Sequence, residues 1–577
     1  MTVTPELVHD TVRRLTTSGG PFEVTTRDIA GVTHRVFTHA AATLVDILQM
    51  GRGHGDADFL VYGEERWSFD RFFTEVDALA ACLQHDLGIG VGDRVAIAMR
   101  NSPDWVTTFA AAALIGAVVV PINSWGSAEE LRFTLKNSGA AVLAADLPRA
   151  RLAFDTLLAG RIPLLFSDID GPLTDLPSHP ESRLDVRRIR DVTAPGRDYT
   201  LATPLPEDIA LLLYTSGSTG TPKGVIYRHV AAGQAIMNMF LVGFLSMELG
   251  GNVELRGGAT VEAQLVTVPL FHATGLFSGF LLPCAVGQKV AMLRKWDAET
   301  AMRVIEDEKI TMLSTVPAIL KDLLTHPRLG EFDVSSISRV AAAGAATPSD
   351  LPGLLEQRLG IVTRSSGYGM TETASVCATM SGAVFDLKPL ASGILSPIIE
   401  LRVAGADGAV VASTEEGEIQ LRGVTVTPGY WLRDDMTREA CAVDGWLRTG
   451  DLGHLDEDGF LHVTGRIKEI VIRGGENISP IEIENVAYRH PAVKEVAAFG
   501  VPDDAMGEEL AMVCHPQPEA ALTEHDLREH LRITLPAFKV PKYSTLTDKP
   551  LPRNASEKIH RLAVSRNYIR ESTAGMT

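Results

Sequence analysis

The segment Tyr214-Thr-Ser-Gly-Ser-Thr-Gly-Thr-Pro-Lys-Gly-Val225 decides how this chain is read. An apolar run, Ile209 to Leu213, leads into it and reads as a strand, and Val225-Ile-Tyr227 reads as a second strand. Thr215, Ser216, Ser218 and Thr219 sit among Gly217 and Gly220, and Lys223 follows close behind. Glycine lets the backbone bend until successive N–H groups face one anion, hydroxyls add donors, and lysine adds a point charge. The segment is therefore suited to wrapping phosphate oxygens. It is not a Walker A loop, which needs glycine before the lysine and Ser/Thr after it; here Pro222 precedes and Gly224 follows. A flexible surface turn is the bland alternative, and it accounts for neither the flanking strands nor the lysine.

Outward from this loop, the first half alternates helix and strand patterns. Phe72, Val76, Leu79 and Leu83 recur every three to four residues after Trp67-Ser-Phe, which predicts a helix, and Asp93 to Met99 predicts a strand. Such alternation favours an α/β fold with a partly parallel sheet covered by helices. The stretch from Asp191 to Asp208 reads as a loop. After residue 400 the texture changes. Ala406-Asp407-Gly408 and Glu457-Asp458-Gly459 predict hairpin turns. Beyond Gly465-Arg466-Ile467-Lys468-Glu469 lies a compact unit of its own. In it Ser479-Pro480-Ile481-Glu482 has capping-box spacing, Val493 to Val501 reads as a strand, and Glu524 to Leu535 reads as a helix. The expected division is residues 1–465, a hinge at 466–470, and a small α+β unit at 471–577.

Composition narrows the class. The chain has 577 residues, with 53 Lys+Arg against 72 Asp+Glu, a net charge of −19 that argues against a nucleic-acid binder. The cysteines at 82, 284, 377, 441 and 514 form no CxxC pair or Cys/His cluster, so neither zinc nor a disulfide framework is indicated. This usage suits a reducing cytosol, and MTVTPELVHD lacks a signal-peptide pattern, so a cytoplasmic location is expected. The most apolar stretch, Phe109 to Ile122, is too short to span a bilayer, so no transmembrane segment is expected.

With the loop at 214–225, four further segments occur in order: Tyr368-Gly-Met-Thr-Glu372, Trp446-Leu-Arg-Thr-Gly-Asp451, Gly465 to Pro480, and Pro552-Arg-Asn-Ala-Ser-Glu-Lys558. In this order, over nearly the whole chain, the sequence resembles the adenylate-forming superfamily of acyl-CoA synthetases, peptide-synthetase adenylation domains and luciferases. The resemblance implies a large N-terminal domain with a small mobile C-terminal lid. It implies a two-step reaction in which a carboxylate attacks the α-phosphate of Mg-ATP, and coenzyme A then displaces AMP. By the resemblance, Thr215, Ser216, Lys223 and the turn Gly217-Ser218-Thr219-Gly220 hold the β/γ-phosphates. Thr371 touches the α-phosphate and Glu372 holds Mg²⁺. Asp451 accepts from the ribose, Arg466 adds a contact there, and Tyr368 with Gly369 flanks the adenine. Gly344 and Ala345 line the adenine and acyl pocket. Lys558 bridges carboxylate and α-phosphate, Lys468 is the pivot of the lid, and Gly474 and Gly475 border the pantetheine path. Where the family usually has glycine before the lid lysine, this chain has Glu557.

His272, in Phe271-His272-Ala-Thr-Gly275, matches a segment near the carboxylate; it either touches substrate or is structural. Met237, Met239, Phe240, Leu241 and Phe244, with Phe277, Phe280 and Leu281, either line a greasy tunnel or fill a core. A hydrophobic acid, fatty or cyclic, is expected. The alternatives are an adenylating enzyme that passes its acyl group to an amine or carrier protein, and an inactive nucleotide- or acyl-binding sensor. A serine hydrolase is disfavoured, because no Gly-x-Ser-x-Gly occurs. The N-terminal 40 or so residues are expected to pack against a neighbouring subunit, as in a homodimer.

Overall fold

The computed structural model describes residues 2–177, 184–192, 197–216, 221–250, 255–342, 351–361, 364–474, 476–503, 505–517, 520–553 and 559–574. Two largely parallel sheets form the frame. The first has seven strands in the order Pro222–Arg228, Ile209–Ser216, Val118–Pro121, Arg94–Ala98, Val142–Asp146, Leu164–Ser167, Val186–Arg188. Only the pair nearest the phosphate-loop edge is antiparallel. The second has six strands, with Asp58–Tyr62, Lys289–Met292, Ala263–Val266 and Met312–Thr315 running parallel near its centre. Helices Leu44–Gly51, Phe69–Ala81 and Pro103–Leu114 share one core with strands of both sheets.

The expected helix forms as Phe69–Ala81, capped by Ser68, whose side chain accepts from the Arg71 N–H. Phe72, Val76, Leu79 and Leu83 are all buried, as the spacing requires. Every residue of Pro103–Leu114 is buried, which accounts for the apolar stretch there. A different helix, His229–Glu248, is the one long and apolar enough to cross a membrane by length and composition among the described residues. His229 through Ile236 are all buried against the rest of the protein.

An eight-stranded, mainly antiparallel sheet follows. Both Asp-Gly hairpins form in it, joining Ile399–Ala404 to Val410–Val411 and Leu447–Leu455 to Phe460–Arg466. Helix Pro5–Thr16 and hairpin Val24–Ile29/Val32–Phe37 lie against it. Val8, Leu15, Val36 and Phe37 enter the core of this sheet. Gln234 accepts from Phe37 N–H at 2.7 Å and donates to Phe37 O at 3.1 Å. Those two bonds contribute about 1 kcal/mol each.

From Val471 the chain builds a five-stranded sheet centred on the hairpin of Val493–Asp503 and Gly507–Pro516, with hydrophobic clusters of its own. Helix Pro480–Ala487 starts where expected, but the capping box does not form. The Ser479 hydroxyl donates to Thr464 O at 2.7 Å, and Glu482 pairs with Lys539 at 2.6 Å. Tertiary partners outcompete the local cap, because they tie this unit to the preceding strand.

Candidate active site

The phosphate loop is the tip of an antiparallel hairpin. Thr215 faces Lys223 and Ser216 faces Pro222 across the ladder, so the register sets the lysine beside the loop's hydroxyl strand. The turn itself, Gly217 to Gly220, lies outside the described residues. Aromatic plates brace the hairpin. Tyr214 donates to Asn137 Oδ1 at 2.6 Å, Trp431 Nε1 donates to Asn137 O at 3.1 Å, and Trp431 N–H donates to Gly224 O at 2.7 Å.

Opposite Lys223 stands Glu372, a buried carboxylate on the turn Thr371–Thr373. The Tyr430 hydroxyl donates to Glu372 Oε1 at 2.8 Å, and Lys223 Nζ lies 5.1 Å from the Tyr430 ring centroid. Burial lowers the Lys223 pKa, and the charge of Glu372 opposes that shift. The Tyr227 hydroxyl, from the hairpin's second strand, donates to Thr371 O, and Thr427 N–H donates to Glu372 O at 2.8 Å. Strain surrounds this carboxylate. Ala374 (φ 52°), Ser375 (φ 87°) and Leu432 (φ 52°) all sit at positive φ, a conformation that persists only where the surroundings enforce it. Gly369 is required by a close approach: a Cβ there would fall 1.7 Å from Ser375 O.

A second buried carboxylate, Asp451, is 2% exposed. Tyr368 donates to its Oδ2 at 2.7 Å. Arg466, directly across the ladder, brings Nε to 2.8 Å from Oδ1. That contact is an ion pair but is not aligned as a hydrogen bond, so Oδ1 is buried with an unused acceptor direction. Burial raises the Asp451 pKa and Arg466 counters it, while burial and the Asp451 charge push the Tyr368 hydroxyl far up.

Lys468 lies in the turn Ile467–Glu469, and its charge acts on Lys223. Gly474 sits at φ +59° and donates its N–H to Met506 O at 2.9 Å; a Cβ there would meet Met506 Cε at 2.4 Å. His272 caps the short helix Ala273–Leu276 beside the Phe271 ring, at 4.5 Å between centroids. Thus the structure brings Lys223 and Glu372 to the same tyrosine, Tyr430, and gathers Tyr368, Asp451 and Arg466 in another place. Gly344, Ala345, Gly475 and Lys558 lie outside the described residues.

The apolar runs divide. Phe277, Phe280 and Leu281 are at most 1% exposed and fill the shared core, with Phe280 against Phe59, Phe72 and Phe109. They are core rather than tunnel wall. Leu241 instead lines a small cavity with room for about one water, together with Asn238, Leu245, Met380, Val384 and Ile394. Asn238 Nδ2 also donates to Val376 O at 3.3 Å, which ties this cavity's helix to the segment following Glu372.

Tyr430, Tyr227 and Thr427 are the site residues that sequence reasoning missed. The only available signal was a tyrosine after Pro428-Gly429, which carries no chemistry by spacing alone. Among the described residues no group of three or more His, Cys, Asp or Glu clusters as a metal site. A hard cation that keeps waters and takes phosphate oxygens needs only one protein carboxylate, and Glu372 fits that role.

Comparisons with known proteins agree with this arrangement. The AMP-binding enzyme family matches residues 49–431, and the AMP-binding enzyme C-terminal domain matches residues 482–558. The chain is 34% identical over 500 residues to feruloyl-CoA synthase from Amycolatopsis sp, covering 86% of this chain and 94% of that protein. It is 32% identical over 499 residues to 2-succinylbenzoate–CoA ligase from Bacillus cereus, covering 86% and 93%. The solved o-succinylbenzoate CoA synthetase from Bacillus subtilis, in complex with the acyl-adenylate intermediate OSB-AMP, superposes with a TM-score of 0.71 at 26% identity, covering 90% of this chain and 97% of that one. The chain belongs to the AMP-binding enzyme family and is an adenylate-forming acid–CoA ligase.

Proposed function

We propose that this ligase activates a hydrophobic carboxylic acid, fatty or cyclic, with ring-bearing acids preferred. The observation that carries the nucleotide half is the pairing of two buried carboxylates, Glu372 and Asp451, each held by a tyrosine hydroxyl, with Lys223 beside the first. The names of the feruloyl- and succinylbenzoate-CoA relatives support a ring-bearing acid.

In this reading residues 1–465 form the body, 466–470 the hinge and 471–577 the lid. Thr215, Ser216 and Lys223, with Gly217 to Gly220, cradle the β/γ-phosphates of ATP. Thr371 meets the α-phosphate. Glu372 holds Mg²⁺, which supplies charge neutralisation between the phosphates when bound. Asp451 turns its unused acceptor direction to a ribose hydroxyl, Arg466 steadies that carboxylate, and Tyr368, Gly369, Gly344 and Ala345 border the adenine and acyl group. Lys558 draws the acid's oxygen and the α-phosphate together as charge builds between them. Positioned cations are worth most in a site that excludes water. The acyl-adenylate then waits while the lid turns about Lys468, and the CoA thiol attacks along Gly474 and Gly475. His272 faces the carboxylate end of the acyl site.

The test is an AMP-release screen over fatty, aromatic and small polar acids, with and without CoA. Ring-bearing acids should give the highest kcat/KM, with AMP and thioester in equal amounts. Preference for small polar acids would refute the substrate class. Thioester-free transfer to added amines would favour the amide-forming alternative.

A further inference from the structure

Residues 551–553 and 559–561 flank the segment that carries Lys558, and each flank is held by an arginine on a buried glutamate. Upstream, Arg553 Nη2 lies 2.6 Å from Glu495 Oε1, and Leu551 N–H donates to Glu495 Oε2 at 2.7 Å. Downstream, Arg561 Nε donates to Glu484 Oε1 at 3.1 Å, and Nη2 donates to Glu484 Oε2 at 2.8 Å. Both glutamates belong to the lid's regular elements, Glu495 to strand Val493–Asp503 and Glu484 to helix Pro480–Ala487. Their exposures are 7% and 9%. The two sides meet in an antiparallel bridge, Arg553 to Ile559, reinforced by His560 N–H donating to Pro552 O at 2.7 Å.

Arg561 does one thing more. Its Nη1 pairs with Glu469, in the turn that holds Lys468. The charge of Glu469 in turn acts on both Asp451 and Glu484. Arg561 therefore joins two glutamates, Glu469 in the hinge turn and Glu484 in the lid helix. A pair that only stabilised the lid would not need the third contact.

We propose that Arg561 is a positioning residue for the adenylation step: it ties the base of the Lys558 segment to the hinge turn, so the lysine arrives in register when the lid is closed for adenylation. Arg553 clamps the other side. The inference rests on the assignment of Lys558 made above. Misplacing a reacting cation by about 1 Å is enough to cost on the order of 10²-fold in rate.

The experiment measures both half-reactions in the full-length enzyme: acid-dependent pyrophosphate exchange, and thioester formation from supplied acyl-adenylate. Arg561→Gln should lower exchange about 10²-fold while KM for ATP and thioester formation stay within about threefold. Arg561→Lys should recover part of the loss. Because Arg561→Gln strands Glu484 in the lid, Arg561→Met/Glu484→Met is measured beside it; apolar replacement of a buried pair preserves packing but cannot reach Glu469. The double variant should unfold at the wild-type temperature and still lose exchange selectively. If it keeps exchange, or loses both half-reactions alike, the positioning role is overturned. Lys558→Ala in the same assay separates the two assignments. If it retains exchange, the lysine assignment falls and takes this one with it; if it loses exchange while the Arg561 variants keep theirs, the clamp alone falls.

Discussion

Two carboxylates of the candidate nucleotide site and two of the lid differ in what holds them. In the body, Glu372 and Asp451 each take a hydrogen bond from a neutral tyrosine hydroxyl. In the lid, Glu484 and Glu495 are held by arginines at 2.8 and 2.6 Å. A hydrogen bond from a hydroxyl to a carboxylate contributes about 1.5–3 kcal/mol, whereas removing one partner of a buried ion pair costs about 3–5 kcal/mol. A carboxylate held by tyrosine can release that partner when a cation or a ribose arrives. A segment pinned by buried ion pairs keeps its shape while the whole lid turns.

The largest expected effect tests the body's reliance on neutral groups. His229 Nδ1 accepts from Leu44 N–H at 3.3 Å, and burial lowers its pKa to about 4 from 6.5. The unfolded chain takes that proton first. The contribution is therefore complete above pH 6.5 and is lost as the pH falls toward 4, by about 3 kcal/mol in all. Denaturant unfolding of wild type and His229→Gln across this range should show a steeper acid loss in wild type; parallel curves would remove His229 from the account. Next, Lys468→Pro should slow thioester formation on the order of 10²-fold and leave adenylation nearly intact, because a fixed φ stops the turn without touching the body. Unchanged rates in both steps would dissolve the hinge. Tyr430→Phe should reduce kcat/KM for adenylation about tenfold, the lower end of the worth of one hydrogen bond to a carboxylate. Tyr368→Phe should cost less, about two- to threefold and mainly in KM for ATP, because Arg466 still faces Asp451. A larger effect from Tyr368 than from Tyr430 would reverse the ranking of the two carboxylates.

The sequence carried the parts of this picture that are local. The strands flanking residues 217–220 were legible because an apolar run, Ile209 to Leu213, and a second β-type run, Val225 to Tyr227, lie close on either side. The helix at Phe69–Ala81 and both Asp-Gly hairpins were legible for the same reason. What stayed hidden depends on distance along the chain. Tyr430 meets Glu372 across 58 residues and Asn238 meets Val376 across 138, and no periodicity encodes such contacts. The capping box at Ser479 failed because a tertiary acceptor, Thr464 O, took the hydroxyl. Phe277 and Phe280 looked as suited to a tunnel as to a core, and only their burial decides for the core. The N-terminal hairpin gave no pattern pointing to its own chain, since its anchors, the buried Val36 and Phe37 and the Gln234 side chain, meet partners far along the chain.

The central claim is that one enzyme makes an acyl-adenylate and then passes the acyl group to a thiol. The most direct measurement follows a single turnover with labelled ATP and a ring-bearing acid, adding CoA only after the first product has formed. The account predicts pyrophosphate and enzyme-bound acyl-AMP before CoA, then AMP and thioester in equal amounts after it. Formation of ADP and phosphate, or thioester with no acyl-AMP preceding it, would contradict it.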